Sequence, residues 1–175
     1  MAYPNAYVMI EFVLGNRRLR LYPDGKITCR AILNGEETIK EIWNDVSFFK
    51  NKTGYLQCTI TVDGVYKKFL QHRLLHLARN PGWDIFDTSP NNCIDHRNHT
   101  RDDNADENLR VVTHQQNSFN KSNTKGYSWN KRCSKWQVSI MLNYKNIHLG
   151  YFVNEEDAAA AYLKAKARLH VIPES

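Results

Sequence analysis

Nowhere in the chain do eighteen apolar residues run together, and Met1 to Ile10 carry no basic stretch followed by an apolar core. A membrane-spanning helix and a secretory signal are therefore both outside expectation. Cysteine is sparse: Cys29, Cys58, Cys93 and Cys133 stand 29 to 40 residues apart with no C-x-x-C pair, which excludes a zinc knuckle and a dense disulfide framework. Reduced, mostly buried thiols in a soluble intracellular protein are the expectation. Acid is missing from one whole segment: Phe119 to Asn154 holds six bases, Lys121, Lys125, Lys131, Arg132, Lys135 and Lys145, and no Asp or Glu. Tyr127, Trp129, Trp136 and Tyr144 are interleaved with them, a composition that attracts a polyanion.

The 175 residues, 42% hydrophobic and 24% charged, suffice for one domain or two small ones and exclude a fibre or a disordered tail. A net charge of +6 and a pI near 9.1 favour an acidic partner, nucleic acid first. Ahead of the basic segment the charge has the opposite sign, with seven acids against two bases between Asp84 and Asn108. An acidic segment that could hold a cation, followed by a basic one that could grip a phosphate backbone, is a sensible order for a protein acting on nucleic acid. Solvated faces produce charge runs as well.

The first seventy residues read as short strands between turns. Tyr7 to Leu14 and Arg18 to Leu21 flank Gly15-Asn16, Pro23-Asp24-Gly25 is a turn, and Tyr55 to Val62 and Val65 to Leu70 flank Asp63-Gly64. His72 to Arg79 reads as a short helix. Asn92 to His96 and Leu109 to Val112 read as paired strands around a long polar loop, and Thr113-His114-Gln115-Gln116 fits a capping box opening a helix. Beyond the Ser-, Asn- and Gly-rich residues 121–126, three strands are expected at Tyr127 to Asn130, Trp136 to Leu142 and Lys145 to Tyr151. A helix capped by Asn154 follows, carrying Ala158, Ala161, Tyr162, Ala165 and Leu169 on one small-residue face. Such a face lets the helix lie close to the sheet, and strand alternation sets Gln137, Ser139 and Met141 opposite Trp136, Val138, Ile140 and Leu142.

The sharpest pattern is Asp95-His96, eleven residues, Asn108-Leu109-Arg110, then Thr113 and Asn117. The strand, strand and helix would bring Asp95 and His96 opposite the first turns of the helix carrying Asn117. A carboxylate and an amide carbonyl are hard oxygen ligands suited to Mg²⁺ or Mn²⁺ with positions left for water and phosphate. Imidazole, with a pKa near 6.5 when unperturbed, can take a proton from an attacking water. Against this stands a surface turn with no metal, the usual meaning of a bare Asp-His pair.

At these residues, and at Gln71-His72-Arg73-Leu74-Leu75 upstream, the chain resembles the HNH nucleases with a ββα-metal motif, in particular the phage and intron-encoded homing endonucleases. The resemblance implies Asp95 and Asn117 as metal ligands, His96 as general base, and Asn108 as the motif's central Asn that holds the base's loop. It gives His114 no role. His72, beside a leucine cluster, is read as a packing residue. Asn117 stands where many such proteins have a third histidine, which favours Mg²⁺-type metals over zinc. Thr124-Lys125-Gly126-Tyr127-Ser128-Trp129, Lys135-Trp136, Ile147 to Phe152 and Glu155 to Tyr162 resemble the APETALA/ethylene-response type of DNA-binding domain, which reads the major groove with its sheet. By position Trp129, Lys131, Lys135, Trp136, Gln137, Ser139, Lys145 and His148 would meet DNA, with Arg132 joining them from the same basic stretch. Trp136 stays open between core packing and base stacking.

The expected fold is α+β: a β-rich region over 1–70, the ββα-metal motif over 71–120, a linker over 121–126, and a three-stranded sheet on one helix over 127–175. The implied function is site-specific, metal-dependent hydrolysis of double-stranded DNA, by nicking or double-strand cutting, with no membrane and no small-molecule substrate. The implied setting is the cytoplasm of a bacterial host, phage-encoded. The alternatives are a non-catalytic, sequence-specific DNA-binding regulator and a nuclease without sequence preference.

Overall fold

The computed structural model describes residues 9–31, 42–121 and 124–172. Tyr7 and Val8 of the first expected strand, and Ser122 and Asn123 of the expected linker, lie outside them. The chain divides into two compact units, one of residues 1–88 and 100–109, the other of residues 89–99 and 110–175. Eleven of the 24 bases and five of the 18 acids fall in the second unit, leaving thirteen of each in the first. The whole net charge of +6 therefore belongs to the second unit.

In the first unit, β1 (Ile10–Leu14), β2 (Arg17–Leu21), β3 (Ile27–Ala31) and β4 (Asn44–Asp45) form an antiparallel sheet in that order. A second sheet joins β5 (Phe49–Lys50), β6 (Leu56–Val62) and β7 (Val65–Leu70), and α1 (Gln71–Arg79) follows directly. Both sequence hairpin signals close two-residue turns, with Leu14 opposite Arg17 and Val62 opposite Val65. Asp63 and Gly64 both take positive φ, 52° and 78°, the conformation a type I′ turn needs. The two turns bind each other: the Asn16 N–H donates to Asp63 Oδ1 (3.1 Å) and the Asp63 N–H to Asn16 Oδ1 (2.8 Å). Alternate residues of the strands, Leu14, Leu19, Ile27, Cys58, Ile60 and Val62, meet Leu74, Leu75, Leu77 and Ala78 of α1 in one core. His72 is buried on α1 with its ring 5.3 Å from that of Tyr55, a packing position.

Residues 100–109 bind to the rest of this unit through their polar side chains. Arg101 donates to the Thr53 carbonyl (2.6 Å), Asp102 pairs with Lys50 (2.6 Å), Asn104 donates to Gln71 (2.9 Å) and Asp106 pairs with Arg79 (2.8 Å). The acidity of this loop is thus spent partly on ion pairs, and Asp102 and Asp106 do not gather around a cation site.

In the second unit β8 (Cys93–His96) pairs with β9 (Leu109–Val112), and α2 (His114–Phe119) packs on β8. The capping box forms in full: Gln116 N–H donates to Thr113 Oγ1 (3.1 Å) and Thr113 N–H to Gln116 Oε1 (2.8 Å). Then come β10 (Tyr127–Asn130), β11 (Lys135–Leu142), β12 (Lys145–Phe152) and α3 (Glu155–Leu169), the strands forming an antiparallel sheet in that order. Ala158, Tyr162 and Ala165 of α3 bury against Val138 and Ile140, with Tyr127, Trp136, Leu149, Phe152 and Leu169 around them. Asn154 occupies the N-cap position, but its amide donates to Asp157 (3.3 Å) and does not cap a backbone N–H. The chain is thus a mixed α and β protein of small antiparallel sheets and few helices. No helix among the described residues is long and apolar enough to cross a membrane. All four cysteines are free, yet Cys58 alone is buried, Cys29 and Cys93 are half-buried and Cys133 is exposed, fewer buried thiols than expected.

Candidate functional site

Asp95 and His96 are the last two residues of β8, with 6% and 4% of their surface exposed. A carboxylate so far out of water needs a partner for its charge. Asp95 has two: Arg110 on β9 donates from Nε (3.0 Å) and Nη2 (2.8 Å) to Oδ2, and the Asn120 amide donates to Oδ1 (3.0 Å). The same Asn120 nitrogen reaches the His96 carbonyl oxygen at 2.9 Å. Asn120 is the residue that ends α2, so the end of the helix is tied to the end of the strand. Asn117, one turn earlier, is half-buried, and its side-chain amide makes no hydrogen bond among the described residues. Asn108 lies in the first unit, 6% exposed, with its amide donating to the Asp103 carbonyl (2.6 Å) within the polar loop. Asp95, His96, Asn117, Arg110 and Asn120 all lie in the second unit. His114 is exposed at the start of α2.

No group of three or more His, Cys, Asp or Glu among the described residues could hold a metal ion. A closed, zinc-like site is therefore not built from those residues, whereas Mg²⁺ needs only one or two protein oxygens alongside water and phosphate. A carboxylate has about four lone-pair positions, of which three N–H contacts occupy a part, and the Asn117 side-chain carbonyl accepts no hydrogen bond among the described residues. The donor set fits a hard divalent cation on those terms.

The sheet of β10, β11 and β12 has two faces, and its register sorts the residues expected to meet DNA. Residues directly opposite one another share a face. Ser128 lies opposite Gln137, Asn130 opposite Lys135, Gln137 opposite Tyr151 and Ser139 opposite His148. Lys135, Gln137, Ser139 and His148 therefore stand together on the face turned away from α3. Trp129 lies opposite Trp136 and Lys145 opposite Leu142, which puts Trp129, Trp136 and Lys145 on the other face with Val138 and Ile140. Trp136 packs edge-to-face on Tyr127 and Trp129 (5.9 and 5.5 Å) at the rim of the α3 core, so the structure gives it the packing role. Lys131 and Arg132 occupy the turn between β10 and β11, where the Arg132 N–H binds Asn130 Oδ1 (3.0 Å). The outward face also carries Met141, as the alternation of β11 predicts, together with Ser128, Asn130, Asn146 and Tyr151, which sequence reasoning passed over and which the strand register alone collects. Asn130 donates to Gln137 (2.9 Å), and the rings of His148 and Tyr151 lie 4.8 Å apart.

Arg110 and Asn120 were also passed over as site residues. Arg110 stood in the Asn-Leu-Arg triplet without a role, and its one signal was that a buried Asp needs a cation nearby. Asn120 repeats the amide of Asn117 three residues on, and nothing local separates the two.

No protein-family model matches the chain, and no curated protein matches it. Among solved structures, one described as "DNA binding and cleavage by the HNH homing endonuclease I-HmuI" is similar over 58% of this chain, with 22% identity and a TM-score of 0.40. The similarity covers 50% of that protein, so the matched part spans about half its length.

Proposed function

We propose that the chain is a metal-dependent DNA endonuclease of the HNH type, site-specific and of the homing kind, cutting one or both strands of double-stranded DNA. The observation that carries the reading is the pairing of Asp95 and His96 at the end of β8, with Asp95 held by Arg110 and by Asn120 at the end of the helix that bears Asn117. A buried carboxylate beside an imidazole, with an amide that makes no hydrogen bond among the described residues on the helix packed against that strand, is costly to assemble for packing alone. The motif spacing and the acid-free sheet of the same unit support it.

Asp95 and Asn117 would hold the divalent ion, Mg²⁺ or Mn²⁺. Bound there, it would supply charge stabilisation for the departing oxygen. His96 takes a proton from a water directed at phosphorus. The new bond joins that water oxygen to phosphorus and the bond to the 3′ oxygen breaks; that oxygen takes a proton from solvent, leaving 5′-phosphate and 3′-hydroxyl ends. Arg110 holds Asp95 in place, and Asn108 braces the loop between the strands. The outward face of β10 to β12, with the turn at Lys131 and Arg132, holds the duplex, its cations answering phosphates.

Purified Asp95→Ala and His96→Ala proteins should bind DNA as the parent does and cut it at least about a hundredfold more slowly, the usual scale for losing a general base. Full cutting by His96→Ala would remove the general-base role. Equal binding with and without chelator, and no cutting by the parent with any metal, would favour the DNA-binding regulator.

A further inference from the structure

The helix that carries Asn117 is too short to stand alone. α2 has six residues, and helices of that length are unstable in water unless tertiary contacts hold them. Its capping box secures the first turn, but Phe119 is the one buried side chain it contributes. The Phe119 ring stacks flat on His170, with centroids 3.9 Å apart and planes 9° from parallel.

His170 ends α3 and is itself fixed. Its backbone N–H binds the Lys166 carbonyl (2.9 Å), and its Nε2 lies 2.9 Å from the carbonyl oxygen of Met141 on β11. A carbonyl can only accept, so Nε2 is the donor in this contact. Nδ1 is buried with no hydrogen-bond partner among the described residues. A buried ring nitrogen left unsatisfied costs free energy, which a phenyl ring at this position would not incur. Stacking alone does not explain the choice of histidine; holding Phe119 and β11 together through one ring does.

The contacts run on without a gap. Met141 belongs to the strand whose side chains Gln137 and Ser139 lie on the outward face, and Phe119 is followed by Asn120, which grips Asp95 and the His96 carbonyl. We infer that His170 is a positioning residue for the candidate active site: through Phe119 it lets the C-terminal sheet and helix hold α2, and with it Asn117 and Asn120, in register with Asp95 and His96. The role in cleavage rests on the nuclease reading above; the positioning of α2 does not.

The test uses the full chain with His170→Ala, His170→Phe and His170→Leu. Three quantities are followed: hydrogen exchange of the α2 amides against those of β11, affinity for a mixed-sequence DNA duplex, and the single-turnover nicking rate on a supercoiled plasmid with Mg²⁺. In His170→Ala the amides of Asn117 to Asn120 should exchange about tenfold faster while those of β11 hold, since local opening is independent of global unfolding. Affinity should stay within about threefold while nicking slows by about tenfold or more, as misplacement of reacting groups does. His170→Phe keeps the stacking ring without the bond to Met141 and should recover part of the rate; His170→Leu, which keeps neither, should recover none. That pair carries the comparison if the alanine variant does not fold. Unchanged α2 exchange in both Ala and Leu variants, exchange rising equally in β11, or full rescue by Leu would overturn the proposal. A parent that nicks nothing overturns the nuclease reading instead, and the exchange comparison still decides the role of His170.

Discussion

Asn120 holds Asp95 by a single side-chain amide: its Nδ2 lies 3.0 Å from Asp95 Oδ1 and 2.9 Å from the carbonyl oxygen of the next residue, His96. The other carboxylate oxygen belongs to Arg110. Asp95 is thereby oriented from the strand and the helix at once, before any ligand arrives.

Breaking this arrangement from the cation side should be expensive. The side chains of Arg110 and Asp95 are 10% and 7% exposed, and removing one partner of such a buried pair costs about 3–5 kcal/mol. Arg110→Met should lower stability on that scale in chemical denaturation, and adding Asp95→Asn should restore part of it, because the orphaned charge is then gone. Additive losses would show that the two side chains do not interact.

Sorting the sheet by register predicts a division of labour. Neutralising Lys131, Arg132 and Lys135 together should weaken DNA binding and flatten its salt dependence, each lost phosphate contact reducing the slope by about 0.9. Trp136→Ala should instead lose stability, on the order of 2 kcal/mol for a half-buried ring, with the salt slope unchanged. Titrations at several salt concentrations separate the two.

Gly126 has no room for a side chain: a Cβ there would overlap the ring of Tyr162, itself 5% exposed in the α3 core. Gly126→Ala should destabilise the second unit by about 1–3 kcal/mol, the cost of overpacking. Combining it with Tyr162→Leu should cost less than the sum of the two changes. A thermally neutral Gly126→Ala would contradict the packing.

Thiol chemistry should rank the cysteines. Burial pushes the Cys58 thiol up to about 12, while Cys133 is exposed. The thiolate is the reactive form, so at pH 8 a maleimide should label Cys133 first and leave Cys58 untouched until denaturant is added. The raised pKa also means that the fold favours the neutral thiol, so stability from Cys58 is lost as pH rises past the unfolded value near 8.5. The opposite end of the range involves His76, whose pKa is lowered by burial. Folding favours its neutral form, so its contribution is present above about pH 6.5 and declines as pH falls below that. Denaturation midpoints at pH 5, 7 and 9 check both signs.

Local grammar made much of the fold legible. Gly15-Asn16 and Asp63-Gly64 announced their hairpins, Thr113 to Gln116 announced the start of α2, and the small face of α3 announced its packing. What stayed hidden was contact at a distance. The mutual bonding of Asn16 and Asp63, the stack of Phe119 on His170 and the choice of Asn120 over Asn117 as the partner of Asp95 depend on how elements meet. Alternation on β11 gave the right residues to each face, but placing Trp129 and Lys145 needed the register of the neighbouring strands. The turn at Asn143 and Tyr144 has both residues at positive φ (51° and 59°). That conformation is tolerated by Asn and unusual for Tyr, so Tyr144 carries no local signal for it.

The central claim is cleavage itself. The purified protein should be incubated with supercoiled phage and bacterial DNA in Mg²⁺, in Mn²⁺ and in EDTA, and the open-circle and linear products resolved on a gel. Discrete products that require the metal and vanish with Asp95→Ala are the predicted result. DNA that is bound but stays supercoiled with every metal would contradict it.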